Sequence, residues 1–437
     1  MILPSYVTFC LEALEKAGYC AYAVGGCVRD SLLGNTPADY DLCTNAKPHE
    51  ICGVFSDLPL VRNGEKHGTI GVVLEHQLTE ITTFRTEGGY QDNRHPDWVD
   101  FVDSIDKDLA RRDFTVNAMA YSPKEGYIDP FGGREDLKNH ILRAVGDPSE
   151  RFTEDSLRIL RGVRFAVRFG LTPETATKDA MFRLAPLMDN LARERVFSEL
   201  CKLLVLASAE DLLTFSPVIT QVIPELSAGV GFHQNSPHHL YDVYTHTAHV
   251  TAAVPQDLAL RWAALLHDVA KPMCYTEDEN GRGHFKGHAS AGAKQAEEIL
   301  LRLKAPTALR ERVVFLINQH MTPFTPDKKL LRRRLGKWGE EATMQLLALQ
   351  KADFSSKGTG TPQEESIFDQ VERCLAEVLS EQACFTVKDL AVGGNDLIAL
   401  GFTGKDIGRT LEQLLTRVQS EELPNEKTAL LDAAKKI

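Results

Sequence analysis

The stretch VGGCVRDSLLGNTPADYDLCTNAKP, residues 24–48, sets a glycine pair, an arginine–aspartate and two aspartates two residues apart close together. A buried core favours neither so much flexible backbone nor so much charge. Phosphate and metal together favour both. Gly25 and Gly26 let backbone N–H groups approach a phosphate, and Arg29 adds a fixed cation. If the second half of the stretch is a strand, side chains at i and i+2 share one face. Asp39 and Asp41 then aim two carboxylates at one point, roughly 6–7 Å apart along the chain. Alone they repel; with one or two divalent ions between them they form a magnesium clamp. A solvated turn is the competing reading of a bare Asp-x-Asp, and the flanking residues count against it.

Working outward, LTEITTFR (78–85) carries a third acid, Glu80, in the middle of a strand pattern where a carboxylate is otherwise unwelcome. ARRDFTVNAMAY (110–121) places Arg112, Asp113 and Asn117 at the start of an apolar helix, with Asp113 as a simple N-cap the structural alternative. RFTEDSLRILRGVRFAVRFG (151–170) opens another helix, for which Thr153 is the expected N-cap. On a helical projection Arg158, Arg161, Arg164 and Arg168 fall on one side, and Ile159, Leu160, Val163, Ala166 and Val167 on the other. Asp155 and Arg158 are i, i+3 neighbours, an acceptor beside a planar donor fork. Such a pair can read the Watson–Crick edge of a base, or be a surface salt bridge worth little.

The bulk numbers set the frame. A chain of 437 residues predicts two to four domains. An apolar share of 43% with 25% charged residues is that of a globular protein, and no apolar run reaches the roughly 18–20 residues that cross a bilayer. No membrane partner is expected. MILPSYVTFCLEAL lacks the basic start and long apolar core of a signal peptide. Nine cysteines without CxxC spacing predict reduced thiols and a cytoplasmic protein. The net charge of −12 argues against a protein that merely coats nucleic acid, but not against a local basic surface. The sequence carries no signal for oligomeric state.

Along the chain, residues 1–20 read as an amphipathic helix ending near Gly18. AYAVGG, TIGVVLE and LTEITTFR read as short strands, and NRHPDWVDFVDSIDKD (93–108) as a polar, irregular, mobile loop. After about residue 140 the patterns are helical, with a polar gap at 354–366 before the last block. The fold class expected is therefore α+β, a small mixed head on a long helical body.

Histidines crowd the stretch from 233 to 320. YDVYTHTAHV supplies His246; ALRWAALLHDVAKP ends an apolar run in His267 and Asp268; GHASAGA supplies His288, INQHM His320 and LQKADF Asp353. Imidazoles and carboxylates on successive helices can converge on a metal inside a bundle. His249 and His284 are read as ordinary core or surface histidines.

GGCVRD followed by DYD, then RRDFTVNAMAY, then EDSLRILRGVRF, resembles the class II tRNA nucleotidyltransferases and bacterial poly(A) polymerases of the polymerase-beta superfamily. The match runs in order from Tyr22 to Gly170, with KHGTIGVV and EITTFRTEGGY between. The resemblance implies a polymerase-beta-like head and an elongated all-α body. It implies that Asp39 and Asp41 hold Mg2+, with Glu80 as third catalytic acid. Gly25, Gly26 and Arg29 would meet the triphosphate, and Arg112, Asp113 and Asn117 phosphate and ribose. Asp155 and Arg158 would read the base, so that protein selects CTP or ATP, and Arg161 and Arg164 are assigned to nucleotide binding with them. Gly88–Asp100 corresponds to the family's flexible segment, and RERVFSELCKLL (Arg193–Leu204) to its neck helix.

The order H…HD…H…H…D, with HHLYDVYTHT, resembles the HD phosphohydrolase superfamily. That implies a site of His246, His267, Asp268, His288, His320 and Asp353 able to hold two ions, either a divalent transition metal or Mg2+. Phosphatase or phosphodiesterase chemistry on phosphate ends is implied, a metal site that only stiffens the body being the alternative. In the tail, Asp396 is an expected N-cap. Gly404-Lys405-Asp406 precede a helix start that could grip phosphate, or belong to a capping helix pair. The tail resembles the tRNA-holding segment of such enzymes. KKLLRRRLGKW (328–338) either faces RNA or is solvated.

The expected division is a nucleotidyltransferase head at 1–140, a neck and base-recognition segment at 141–225, an HD domain at 226–360 and a tRNA-binding tail at 361–437. The function implied is template-independent addition or repair of the tRNA 3′-CCA end from CTP and ATP. An A-adding enzyme, a CC-adding enzyme and a poly(A) polymerase share these motifs. An HD phosphohydrolase with an inactive head is the alternative of another class.

Overall fold

The computed structural model describes residues 1–88, 98–237, 239–358, 362–381 and 384–437. The chain divides into two compact units, Met1–Ala207 with Thr214–Pro224, and Ser208–Leu213 with Glu225–Ile437. The first is mixed α and β; the second is almost wholly helical.

Among the described residues the first unit has eleven strands, of which nine organise its mixed part: β1 (Ala21–Val24), β2 (Leu42–Thr44), β3 (Leu60–Val61), β4 (Thr69–Leu74), β5 (Gln77–Thr83), β6 (Arg85–Gly88), β7 (Trp98–Phe101), β8 (Ala120–Ser122) and β9 (Gly126–Ile128). Seven form one sheet in the order β3-β4-β5-β2-β1-β8-β9. β1 is buried along its whole length, as a central strand should be. Tyr22 stacks on Phe84 at 6.1 Å between ring centroids, within a core that also holds Val24, Cys43 and Leu109.

The register of one strand pair positions the acids. β2 and β5 run parallel with Leu42 opposite Ile81, both fully buried. Side chains alternate faces, so Asp41 and Glu80, one residue before each, project together from the other face. The expectation that Asp39 and Asp41 lie within a strand needs correction, because β2 begins only at Leu42. Asp41 nevertheless continues the ladder: its carbonyl accepts the Val24 N–H at 2.9 Å.

Three local expectations also change. The segment after Asp113 forms a single 3-10 turn, Thr115–Asn117, leading into β8, and no apolar helix. Thr153 lies inside the helix Pro148–Glu154, whose N-cap is Asp147, accepting from the backbone of Ser149 and Glu150. In the expected mobile loop, Trp98–Phe101 pairs with β6 and Ile105–Ala110 is helical, while residues 93–97 lie outside the described residues.

In the second unit the helices Val243–Ala253, Leu258–Leu266, His288–Arg302, Thr307–Gln319 and Glu340–Ser355 pack around a core that includes the fully buried Trp262. The tail helices Gly394–Ala399, Lys405–Gln419 and Lys427–Ala434 enclose a small core of their own around Leu397, Leu414 and Leu430. Asp396 is not the N-cap. It sits at the third helical position and accepts the Gly393 N–H at 2.8 Å. The basic run 328–338 is one helix, and two of its six cations are engaged in ion pairs within the unit. Lys328 pairs with Glu377 and Glu381, and Arg332 reaches Glu381 and Glu421 at 2.7 and 2.6 Å.

Candidate active sites

In the first unit a cleft of about 390 Å³ is lined by Gly25, Gly26, Arg29, Asp41, Arg112, Asp113, Asn117, Asp155, Arg158, Arg161 and Arg164. Sequence reasoning singled out all of these. Arg111, Phe165, Arg168 and Arg195 line it too, and had not been assigned to the site. Eight arginines face three aspartates here, so the cleft is strongly electropositive although the chain is acidic overall.

Gly25 joins β1 to the helix Gly26–Leu32 with φ 78° and ψ −122°, a conformation outside the allowed regions of side-chain-bearing residues. A Cβ there would lie 2.8 Å from Arg112 Nη1, so the missing side chain is also what lets Arg112 reach the turn.

The floor is one buried relay. Arg161 donates to Asp113 Oδ2 through Nη2 at 2.6 Å and Nε at 2.9 Å. The Asn117 amide donates to Asp113 Oδ1 at 3.0 Å and accepts from Arg29 Nη1. Arg29 also chelates Asp30. Burial alone would raise the Asp113 carboxyl, but the Arg161 charge and the bonds from Asn117 and Arg161 outweigh it and hold the group at about 2.

Asp155 and Arg158 both face the cleft, but not as a pair. Arg158 Nη1 donates to Glu154 Oε2 at 2.7 Å, and Nη2 to the Arg111 carbonyl at 3.0 Å. Asp155 breaks the helix, accepts the Leu157 N–H and lies 3.8 Å from Arg195. Within the arginine stripe of Leu157–Phe169, Arg158 and Arg164 are buried and Arg164 pairs with Glu199, while Arg168 is exposed.

Asp39, Asp41 and Glu80 are exposed at the mouth of this region. The walls around Asp41 still strip water from its carboxyl. That desolvation and the like charges of Asp39 and Glu80 push it up to about 6 against the pull of Arg112. A carboxyl raised by two neighbouring carboxylates in this way fits a divalent cation with hard oxygen ligands. The oxygens of these acids are not among the ligand sets that lie within 4.8 Å of one another.

Among the described residues the second unit holds two such sets, His246–His267–Asp268 and Asp268–His288–His320, joined through Asp268. Each imidazole is oriented from behind. Nδ1 faces a backbone carbonyl, that of Ser356 for His246, Ala264 for His267, Phe285 for His288 and Ile317 for His320, so every Nε2 points inward. His246 Nε2 lies 3.0 Å from Asp353 Oδ1, and His288 Nε2 lies 3.1 Å from His320 Nε2. His267 Nε2 and Asp268 Oδ2 are buried 3.1 Å apart in a geometry that makes no hydrogen bond. Burial and the neighbouring His267 push His320 down to about 4, so its ring is neutral at neutral pH, the form that can bind a metal. Imidazole nitrogens with carboxylate oxygens fit a divalent transition metal, and fit Mg2+ less well.

All six residues expected at this site are brought together. Sequence reasoning missed three more. Lys271 lies 2.7 Å from Asp268 Oδ2, Lys357 lies 3.9 Å from Asp353, and His239 packs edge-on to His246. His284 pairs with Asp278 and lines the pocket mouth with Phe285 and Met321, while His249 stacks on Tyr241. The Lys271 signal was present in HDVAKP, three residues after Asp268.

Residues 21–143 match the family described as poly A polymerase head domain, and 238–355 the HD domain. Residues 170–228 match "probable RNA and SrmB-binding site of polymerase A". The CCA-adding enzyme of Lacticaseibacillus paracasei is 35% identical over 431 residues, 97% of this chain and 94% of that protein. The chain belongs to the CCA-adding enzyme family. The CCA-adding enzyme of Limosilactobacillus reuteri is 49% identical over 196 residues, 45% of this chain and 48% of the relative. The chain thus spans about half the length of the first curated relatives it matches. The Bacillus stearothermophilus CCA-adding enzyme in complex with CTP superposes with a TM-score of 0.71 at 27% identity, covering 100% of this chain and 98% of that one. Among the described residues, no helix of this CCA-adding enzyme family member is long and apolar enough to cross a membrane.

Proposed function

We propose that the chain is a tRNA nucleotidyltransferase that completes or repairs the 3′-terminal CCA from CTP and ATP without a nucleic-acid template. One observation carries the reading: an arginine-lined cleft opens beside Asp41 and Glu80, with Asp155 and Arg158 on its wall. Full-length similarity to a CCA-adding enzyme supports complete CCA addition over A-only, CC-only or poly(A) synthesis. Nine free cysteines support action in a reducing cytoplasm.

The geometry divides the work. Arg112 and Arg161, with the backbone of Gly25 and Gly26, bind the triphosphate as fixed donors that need no reorganisation during reaction. Asp113 and Asn117 hold Arg161 and Arg29 in place. Asp155 accepts from, and Arg158 donates to, the edge of the incoming base. Asp39, Asp41 and Glu80 would hold Mg2+, which would supply charge neutralisation for phosphoryl transfer to the RNA 3′-end. Segments 1–140, 141–225, 226–360 and 361–437 act in this reading as head, neck, HD domain and tRNA-holding tail.

The inward Nε2 atoms favour a second activity, hydrolysis of terminal phosphates at the HD site. His246, His267, Asp268, His288, His320 and Asp353 would hold divalent ions, which supply a water acidic enough to react near neutral pH. Lys271 and Lys357 bring positive charge to the pocket for the phosphate.

The test supplies tRNAs lacking CCA, lacking CA and lacking only A, with CTP and ATP offered singly and together. Two C additions followed by one A are expected. Addition of A alone, of CC alone, or of a long A tail would replace the proposal with the corresponding narrower enzyme.

A further inference from the structure

We propose that Phe165 and Phe169 are positioning residues for nucleotide binding, an aromatic pedestal whose ring faces hold together the guanidinium groups of Arg29, Arg161, Arg164 and Arg168. This rests on the reading of the cleft as a nucleoside triphosphate site. The two rings are stacked, with centroids 5.9 Å apart and planes 24° from parallel. They sit at i, i+4 on the helix Leu157–Phe169, the spacing that brings side chains over one another. Around Phe165, the guanidinium carbons of Arg164, Arg161 and Arg29 lie 4.3, 5.3 and 5.4 Å from the centroid. Around Phe169, Arg29 lies at 4.2 Å and Arg168 at 5.0 Å. Arg29 comes from the helix after the glycine turn, so the pedestal ties that turn to the arginine helix.

The cluster needs such a device. Four cations side by side, two of them (Arg29 and Arg164) buried, repel. Burial and the charge of Arg168 depress the Arg29 guanidinium, and burial with Arg161 and Arg168 does the same to Arg164. Asp30, Asp113 and Glu199 each neutralise one arginine. More carboxylates would offset the repulsion but would also repel a triphosphate. An aromatic face attracts cations through its quadrupole and carries no net charge. It therefore packs the arginines while leaving the cleft's positive field for the anion.

The test compares wild-type full chain with Phe165→Leu, Phe169→Leu, Phe165→Tyr and Phe169→Tyr. It measures the Kd for CTP with Mg2+ by calorimetry, kcat and KM on tRNA lacking CCA, and thermal unfolding. Both leucine variants should raise Kd and KM tenfold or more and leave kcat within about threefold. Both tyrosine variants, which keep the π face, should bind within twofold of wild type. Phe165 also meets Phe114 edge-on, so if Phe165→Leu fails to fold, the less buried Phe169→Leu decides. Leucine variants that fold and bind CTP within twofold of wild type overturn the pedestal alone. A wild-type chain that binds no nucleotide overturns the pedestal together with the reading beneath it.

Discussion

Arg158 is held by Glu154, with Nη1 2.7 Å from Oε2, while the adjacent acid Asp155 turns away to the backbone of Leu157 and to Arg195. The Arg151 and Arg111 carbonyls accept further Arg158 N–H groups at 3.2 and 3.0 Å, so the guanidinium is fixed in direction, and in the proposed reading that is the direction in which it meets a base. Glu154→Gln keeps the shape and removes the charge-assisted bond, a change of about 1–2 kcal/mol. We expect a roughly tenfold loss in kcat/KM, carried mainly by KM, and weaker discrimination between CTP and ATP. Competition assays with both nucleotides present measure it. Unchanged discrimination would mean that Arg158 does not depend on Glu154.

The two candidate sites use separate ligand sets, and they should fail separately. Asp39→Ala with Asp41→Ala is expected to abolish nucleotide incorporation and leave hydrolysis of phosphate ends intact. His267→Ala with Asp268→Ala should do the reverse, and should lack the rise in melting temperature expected of the wild type on adding Mn2+ or Ni2+. RNA extension by the first double variant would show that the acids had been wrongly assigned.

Part of this was legible because some residue types tolerate few environments. A glycine pair beside Asp-x-Asp, or imidazoles at the ends of apolar helices, cannot simply be core. Partners at long range left no such mark. By sequence Arg332 could face RNA or solvent, and only the fold shows Glu381 and Glu421, 49 and 89 residues away, occupying it. Nor does spacing alone tell which of Glu154 and Asp155 will take Arg158. The break at Asp155, where φ is −137°, rotates one acid out of helical phase. The strand Trp98–Phe101 escaped notice because it is four residues long and only partly covered, so it shows no clean alternation.

Gly25 tests the glycine turn. An alanine must adopt φ near 78° with ψ near −122°, at a cost of about 1–3 kcal/mol. Its Cβ also displaces the Arg112 guanidinium, which yields easily because it ends a flexible side chain. We expect Gly25→Ala to fold with a lower melting temperature and to raise KM for both nucleotides at least tenfold. Equal KM values would remove Arg112 and the turn from triphosphate binding.

Asp113 gives a pH dependence with a definite sign. Its folded value of about 2 lies below the ordinary 3.8, so the group binds protons more weakly in the native state than in the unfolded one. Its contribution, about 2 kcal/mol, is complete above the unfolded value and is lost as pH falls through about 2. Asp113→Asn cannot titrate. Urea unfolding at a series of pH values should therefore show the stability gap between wild type and Asp113→Asn constant at neutral pH and closing by about 2 kcal/mol between roughly pH 4 and pH 2. A gap that stays constant through this range would mean that the Arg161 ion pair does not persist in solution, and the cleft floor would then have to be held by the Asn117 and Arg29 bonds alone.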